Sequence, residues 1–235
     1  MHIGIIPARA GSKRFPGKNR AELGGVPLWR MAVDKSLQST DLTIVSTDDV
    51  KIIDQIFADP DERIKFSRRP KHLVDGQSYR IDDVLIEMVP ILIRNYMVSP
   101  EDIIHLFQCT SPFVSRGTIE AGIKVFADYP DADSVQSLCE VSNTLHAYSQ
   151  RVYRDGYVRF AFPSEREVHF NSQTKPAHYS FAGYVACRVS SLLKHNNIWG
   201  KKAVGLSVNP LEMTDIDTEE DLKFAEACIN SRVTV

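Results

Sequence analysis

The chain is poor in the features that would set it apart from ordinary globular enzymes. Its 235 residues include four cysteines, Cys109, Cys139, Cys187 and Cys228, which lie far apart with no Cys-x-x-Cys pair. That spacing excludes the usual zinc frameworks and argues against a disulfide scaffold, so buried free thiols are expected. No apolar run approaches the ~20 residues that span a bilayer, and Met1-His-Ile leads into a strand without a signal-like segment; a cytosolic protein with no membrane partner is expected. A basic excess is missing as well. The formal net charge of −2 gives no reason to expect nucleic acid. With 43% apolar and 25% charged residues the composition is that of a folded domain, and the length suits one sizeable α/β domain with a small appended element.

The most informative stretch is N-terminal. An apolar strand from Ile3 runs into a loop that carries Arg9, Lys13, Arg14 and Lys18 together with Gly11 and Gly17. Cationic side chains and bare backbone N–H groups delivered to one point suit a polyphosphate. Two better-known phosphate loops do not fit. A P-loop needs one residue fewer between Gly11 and Gly17 and a hydroxyl where Asn19 stands. The dinucleotide fingerprint needs glycines that do not follow Gly11 at the required offsets. A basic surface turn is the remaining bland reading, which four cations and two glycines within Arg9–Asn19 make unattractive.

Arg9-Ala-Gly-Ser-Lys-Arg-Phe-Pro-Gly-Lys-Asn19 closely resembles the signature of the acylneuraminate cytidylyltransferases, the CMP-sialic acid synthetases and their relatives acting on other nine-carbon keto-sugar acids. Ala10 stands for the family's first glycine, and would carry strain only if that position needs positive φ. The resemblance implies a three-layer α/β/α, Rossmann-like nucleotidyltransferase fold with a small β-rich dimerisation extension.

Further matches follow in order. Gly25-Val-Pro-Leu28 opens a helix to about Leu37, and Leu42–Ser46 is a short strand ending in Thr47-Asp-Asp49, where the two acids are either catalytic or helix caps. A third strand at Ile64–Phe66 reaches Arg69-Pro70 and Leu73-Val-Asp75, which resemble the family's Arg-Pro-x-x-Leu step and its following Asp. Arg69 thereby inherits a place near the cytosine and triphosphate, against the alternative of a solvated arginine at a proline turn. A helix from about Tyr79 to Asn95 is expected to kink or split at Pro90. Asp102–Phe107 is the most convincing buried strand, and its end, Gln108-Cys-Thr-Ser-Pro112, resembles Leu-Gln-Pro-Thr-Ser-Pro of the family. Open α/β sheets hold ligands at such strand ends. Cys109 lacks a sequence-indicated base and is not read as a nucleophile. Ser115 caps a helix to about Ala127, and Asp133–Ser137 starts another strand.

Between 143 and 180 aromatics, charges and turn residues alternate, and Asp155-Gly156 signals a hairpin. In relatives this extension reaches across a dimer to close the partner's sugar site; a homodimer is expected, with an ordinary surface hairpin as the alternative. The core domain is then 1–142 with 181–235. Ala182-Gly183 replaces a family Asn-Gly step near the acceptor sugar, and 201–207 reads as an edge strand. Last, Thr214-Asp-Ile-Asp-Thr-Glu-Glu-Asp-Leu222 matches Asp-Ile-Asp-Thr-x-x-Asp of the family. If extended, it places Asp215 and Asp217 on one side, a hard-oxygen pair suited to Mg2+.

The resemblance implies transfer of CMP from CTP to the anomeric hydroxyl of a nonulosonic, sialic-acid-like acid, releasing pyrophosphate. Ala8, Arg9, Gly11, Ser12, Lys13, Arg14, Lys18, Asn19 and Arg69 would bind the nucleotide, and Gln108, Thr110, Ser111 and Tyr184 the sugar. Lys18, Asp215 and Asp217 would be catalytic, the two aspartates holding Mg2+. Two alternatives stay open: a nucleotidyltransferase of this fold using another nucleotide or a Kdo-like acid, and a non-catalytic nucleotide-binding module, which would not need paired aspartates.

Overall fold

The computed structural model describes residues 1–74 and 79–231. Asp75, the acid of the Arg-Pro motif, lies outside the described residues. The strands are β1 (His2–Pro7), β2 (Glu22–Leu23), β3 (Val26–Pro27), β4 (Leu42–Thr47), β5 (Ile64–Arg68), β6 (Ile103–Phe107), β7 (Ser134–Glu140), β8 (Arg151–Arg154), β9 (Tyr157–Phe160), β10 (Tyr179–Arg188) and β11 (Ala203–Ser207). The helices are α1 (Leu28–Ser39), α2 (Val50–Ala58), α3 (Ile81–Tyr96), α4 (Arg116–Asp128), α5 (Pro163–Val168), α6 (Val189–His195) and α7 (Glu219–Asn230). The helix expected to break at Pro90 runs through it as α3.

Seven strands form one sheet in the order β11-β7-β10-β6-β1-β4-β5. β1 pairs in parallel with β4 and β6, and β10 is antiparallel to both of its neighbours. Alternation along β1 sends Ile3 and Ile5 to one face and Ile6 to the other, which builds two cores. Val84, Leu85, Met88 and Leu92 of α3 and Leu192 of α6 cover the first face. Leu28, Ala32 and Val33 of α1, Ile52 of α2, Ile119 of α4 and Ala225 of α7 cover the second. This is a three-layer α/β/α sandwich with a predominantly parallel sheet.

The chain leaves β1 for β4 and β6 for β7, which lie in opposite directions along the sheet order, and a crevice opens between the carboxyl ends of those two neighbouring strands. A buried hydrogen-bonded row crosses the middle of the sheet: His2 Nδ1 lies 2.9 Å from His105 Nε2, and His105 Nδ1 lies 2.9 Å from the Tyr184 hydroxyl. Burial pushes His105 down to about 3, so it is neutral and each ring nitrogen is used once.

The hairpin expected at Asp155-Gly156 is β8–β9, and both turn residues have positive φ, 54° and 83°, the conformation a two-residue turn requires. It forms its own two-stranded sheet. Around it His146, Tyr148, Phe162, His169 and His178 stack on one another, while Tyr153, Tyr157 and Val158 are left exposed.

Candidate active site

The loop after β1 is held open by its own backbone. Ala8 N–H donates to Ser46 O of β4 at 2.9 Å, and the Thr47 hydroxyl donates to Ala8 O at 2.6 Å. Ala10 N–H then donates to Asp48 Oδ1 at 2.8 Å, and the Asn19 side chain donates to Arg9 O at 2.9 Å. Asp48 therefore ties down the loop, and Asp49 caps α2 by accepting Lys51 N–H at 3.0 Å. Positive φ falls on Gly17, at 74°, and on neither Ala10 nor Gly11. Alanine for the family glycine at position 10 thus costs no strain.

Pro7, Arg9, Ser12, Lys18, Asn19, Arg69, Tyr79, Ile81, Gln108, Cys109 and Thr110 enclose a cleft of about 270 Å³. It unites side chains from the ends of β1, β5 and β6. Lys13 and Arg14 lie on the exposed outer turn of the loop.

Arg69 is the side chain that most needs explaining. It is 4% exposed, and its Nη1 donates to the Tyr79 hydroxyl at 3.2 Å, but Nε and Nη2 have no partner among the described residues. Burial holds the guanidinium below its ordinary value, against the favourable influence of Tyr79. A buried cation that no carboxylate pairs with among the described residues is expensive, which marks a site shaped for a ligand rather than for stability.

Asp217 reaches the loop from the far end of the chain. Its carboxylate accepts from Lys18 Nζ at 2.8 Å and from Arg14 Nη2 at 2.5 Å. Partial burial would raise its carboxyl, but the Lys18 hydrogen bond and the charges of Lys18 and Arg14 outweigh it and hold Asp217 below the usual carboxylate range. The segment 214–217 follows a 3-10 turn at Pro210–Met213 and buries Ile216 between its two acids, of which Asp217 is the one that bonds the loop cations. Asp215 is exposed and lines a separate depression with Thr214, Asp221 and Phe224. Among the described residues no three His, Cys, Asp or Glu side chains are grouped to hold a metal on their own.

Two residues expected at the sugar are not brought to the cleft. Tyr184 has no exposed surface; its ring packs against Gly122 of α4 and its hydroxyl is engaged by His105. Ser111 is buried behind the cleft wall, where Gly183 approaches it so closely that a Cβ there would lie 2.7 Å from the hydroxyl. Gly183, at φ 89°, sits in a bulge of β10, and the freed Tyr184 N–H donates to Ser137 Oγ at 3.0 Å. Gln108 and Thr110 do line the cleft, and Thr110 O accepts Ile216 N–H at 2.8 Å, which joins the β6 loop to the acidic segment. Burial pushes the Cys109 thiol up to about 12, so it is inert. Tyr79 and Ile81 were not legible as site residues: they are ordinary core-type residues in sequence, placed at the cleft by the fold of α3.

Among curated proteins, the chain is 32% identical over 229 residues to the CMP-N,N'-diacetyllegionaminic acid synthase of Legionella pneumophila, covering 95% of this chain and 94% of that one. It is 23% identical to an 8-amino-3,8-dideoxy-manno-octulosonate cytidylyltransferase of Shewanella woodyi (95% and 96% covered) and 25% identical to a 3-deoxy-manno-octulosonate cytidylyltransferase of Phocaeicola vulgatus (98% of each). In fold it is similar to a CMP:2-keto-3-deoxy-manno-octonic acid synthetase solved with CTP, with a TM-score of 0.69 at 17% identity over 99% of both chains. A 4-diphosphocytidyl-2C-methyl-D-erythritol synthase from Anaerococcus prevotii gives 0.61 at 16% identity over 98% of both. The family model described as Cytidylyltransferase matches residues 3–234, and the chain belongs to that family of nucleotidyltransferases.

Proposed function

We propose that the protein transfers CMP from CTP to the anomeric hydroxyl of a nine-carbon keto-sugar acid of the legionaminic or sialic type. The observation that carries this reading is the buried Arg69 guanidinium, facing a cleft rimmed by Arg9 and Lys18 with two nitrogens unspent. A planar cation of that kind suits a base edge or a phosphate. The 32% identity to the legionaminic acid synthase, spread over nearly the whole of both chains, favours nine carbons.

The anomeric oxygen attacks the α-phosphorus, the bond from that phosphorus to the bridging oxygen breaks, and pyrophosphate leaves. Such chemistry asks for positioning and charge neutralisation. Backbone N–H groups of Arg9, Gly11 and Ser12, beside Ala8, and the side chains of Arg9, Ser12, Lys18 and Asn19 hold the nucleotide, with Lys13 and Arg14 closing on the outer phosphates. Lys18 leaves Asp217 to offset charge growing on the α-phosphate. Gln108 and Thr110 orient the acceptor, with Ser111 and Tyr184 behind them. Asp217 and Asp215 would hold Mg2+, whose hard-oxygen preference carboxylates suit and which would supply charge neutralisation for the triphosphate and the leaving pyrophosphate. Asp217 or a water beside it accepts the hydroxyl proton. A homodimer is part of the proposal, with the exposed face of β8–β9 covered by a second copy.

An eight-carbon, Kdo-like acid is the competing acceptor, favoured by the octulosonate relatives and by the CTP-bound fold neighbour. Pyrophosphate release with CTP, GTP, UTP and ATP, crossed with sialic, legionaminic and pseudaminic acids and Kdo, separates the readings. Release confined to CTP with a nine-carbon acid is expected. Release with Kdo alone would replace the acceptor, and none with CTP would remove the reaction.

A further inference from the structure

We propose that Lys35 and Glu212 are positioning residues that grip the segment from Gln108 to Thr118 from behind, so that Gln108 and Thr110 meet the acceptor in one fixed orientation. The proposal rests on the cytidylyl-transfer reading for its kinetic part only. Lys35 turns its ammonium inward from α1 and donates to Ser111 O at 3.2 Å and to Pro112 O. Glu212, 3% exposed, takes the other end of the segment. Its Oε2 accepts Ser115 N–H at 3.1 Å and its Oε1 accepts the Thr118 hydroxyl at 2.9 Å, at the first turn of α4. A cation thus holds two carbonyls where the chain leaves β6, and an anion holds two donors where it enters α4.

The two grips are mechanically joined to the nucleotide side. Glu212 lies a few residues before Asp217 on the segment whose Ile216 N–H donates to Thr110 O, and Asp217 accepts from Lys18 and Arg14. A continuous hydrogen-bonded path therefore runs from α1 through the β6 loop and the acidic segment to the phosphate loop. Little slack exists behind the wall. The cavity bordered by Lys35, Gln108, Ser111 and Tyr184 is about 10 Å³, room for one water at most. The loop cannot retreat into it.

Stability alone does not account for this arrangement. Burial lowers Lys35 to about 8, with the Glu212 charge acting in the opposite sense. Apolar side chains of similar volume serve packing as well as buried charges, or better. What Lys35 and Glu212 add is direction: Lys35 fixes the carbonyls of the two residues that follow Thr110, and Glu212 fixes the Ser115 N–H and the Thr118 hydroxyl at the far end of the same segment. Misplacement of reacting groups by an ångström costs on the order of 100-fold in rate.

The test compares Lys35→Met, Lys35→Arg and Glu212→Gln with the wild type by four measurements: kcat, KM for the sugar acid, Kd for CTP by calorimetry, and amide hydrogen exchange at Ile216. Lys35→Met is expected to lower kcat/KM for the sugar acid at least ~10-fold while CTP affinity stays within about twofold, with exchange at Ile216 at least ~10-fold faster. Lys35→Arg should recover most of both. Should Lys35→Met fail to fold, Glu212→Gln, which keeps shape and removes only charge, is read in the same way. Wild-type kinetics and wild-type exchange at Ile216 in folded variants, with only a lowered melting temperature, would overturn the proposal. If the wild type transfers CMP to no sugar acid, the functional reading fails on its own, and unchanged exchange at Ile216 still decides against the grip.

Discussion

Arg69 and Asp217 carry opposite electrostatic situations, and each makes its own prediction. Arg69 is buried with no ion-pair partner among the described residues and only the Tyr79 hydroxyl and the longer-range charge of Asp48 in its favour, so Arg69→Met should leave the unfolding free energy equal or higher, as removal of a poorly compensated buried cation does. CTP affinity should fall roughly 10- to 100-fold, the worth of about 1.5–3 kcal/mol for hydrogen bonds to a charged group. Chemical denaturation and calorimetry on the same samples check both halves; a variant that loses stability and keeps CTP would make Arg69 structural. Asp217 is held below the ordinary value of 3.8 by Lys18 and Arg14. Its contribution to folding is fully present above that value. As pH falls through the depressed folded value the unfolded chain takes up a proton more readily than the folded one, and the contribution is lost. The stability gap between wild type and Asp217→Asn should therefore be constant at neutral pH and close below about pH 4. Urea midpoints against pH measure it, and a gap that stays open in acid would remove the ion pairs from the account.

At the scale of elements, α7 shows how a cap can serve a site. Thr218 Oγ1 accepts Asp221 N–H at 3.2 Å, and Asp221 Oδ2 accepts the N–H groups of Thr218 at 2.8 Å and Asp217 at 3.0 Å. The box that starts the helix thus also fixes the backbone of Asp217. Thr218→Ala should cost about 1 kcal/mol in urea unfolding. An unchanged midpoint would show the box to be idle. Elements of this kind were legible in the sequence because capping and alternation are local: Ser115 caps α4 where expected, Asp49 takes the capping role of its two alternatives, and the hairpin turns at Asp155-Gly156. What was not legible depends on tertiary packing. Tyr184 alternates correctly along β10, yet only the approach of α4 at Gly122 decides that its ring is sealed in. Spacing sets Asp215 and Asp217 on either side of the buried Ile216, yet only tertiary packing decides that Asp217 meets Lys18 and Arg14 while Asp215 lines another depression. Tyr79 joins the cleft through a contact with Arg69 that no spacing announces.

For the molecule as a whole, one end of the parallel strands gathers the chemistry and one appendage stands apart from the core. On β8–β9, Tyr157 is 82% and Tyr153 74% exposed, with the exposed Val158 opposite Tyr153 in the ladder. So much apolar area on a two-stranded ribbon fits an interface with a second copy. Tyr157→Asp with Val158→Asp should convert the protein to a monomer in sedimentation and lower turnover while leaving the core folded. A wild type that sediments as a monomer at all accessible concentrations would leave the arm packed on its own chain.

The bond that is made and the bond that is broken are read together by phosphorus NMR of the enzyme with CTP, Mg2+ and a nine-carbon keto-sugar acid. Cytidylyl transfer requires a new phosphodiester resonance from the CMP-sugar growing in step with pyrophosphate as CTP disappears. Intact CTP in the presence of each nine-carbon acid, or CDP and inorganic phosphate as the products, would contradict it.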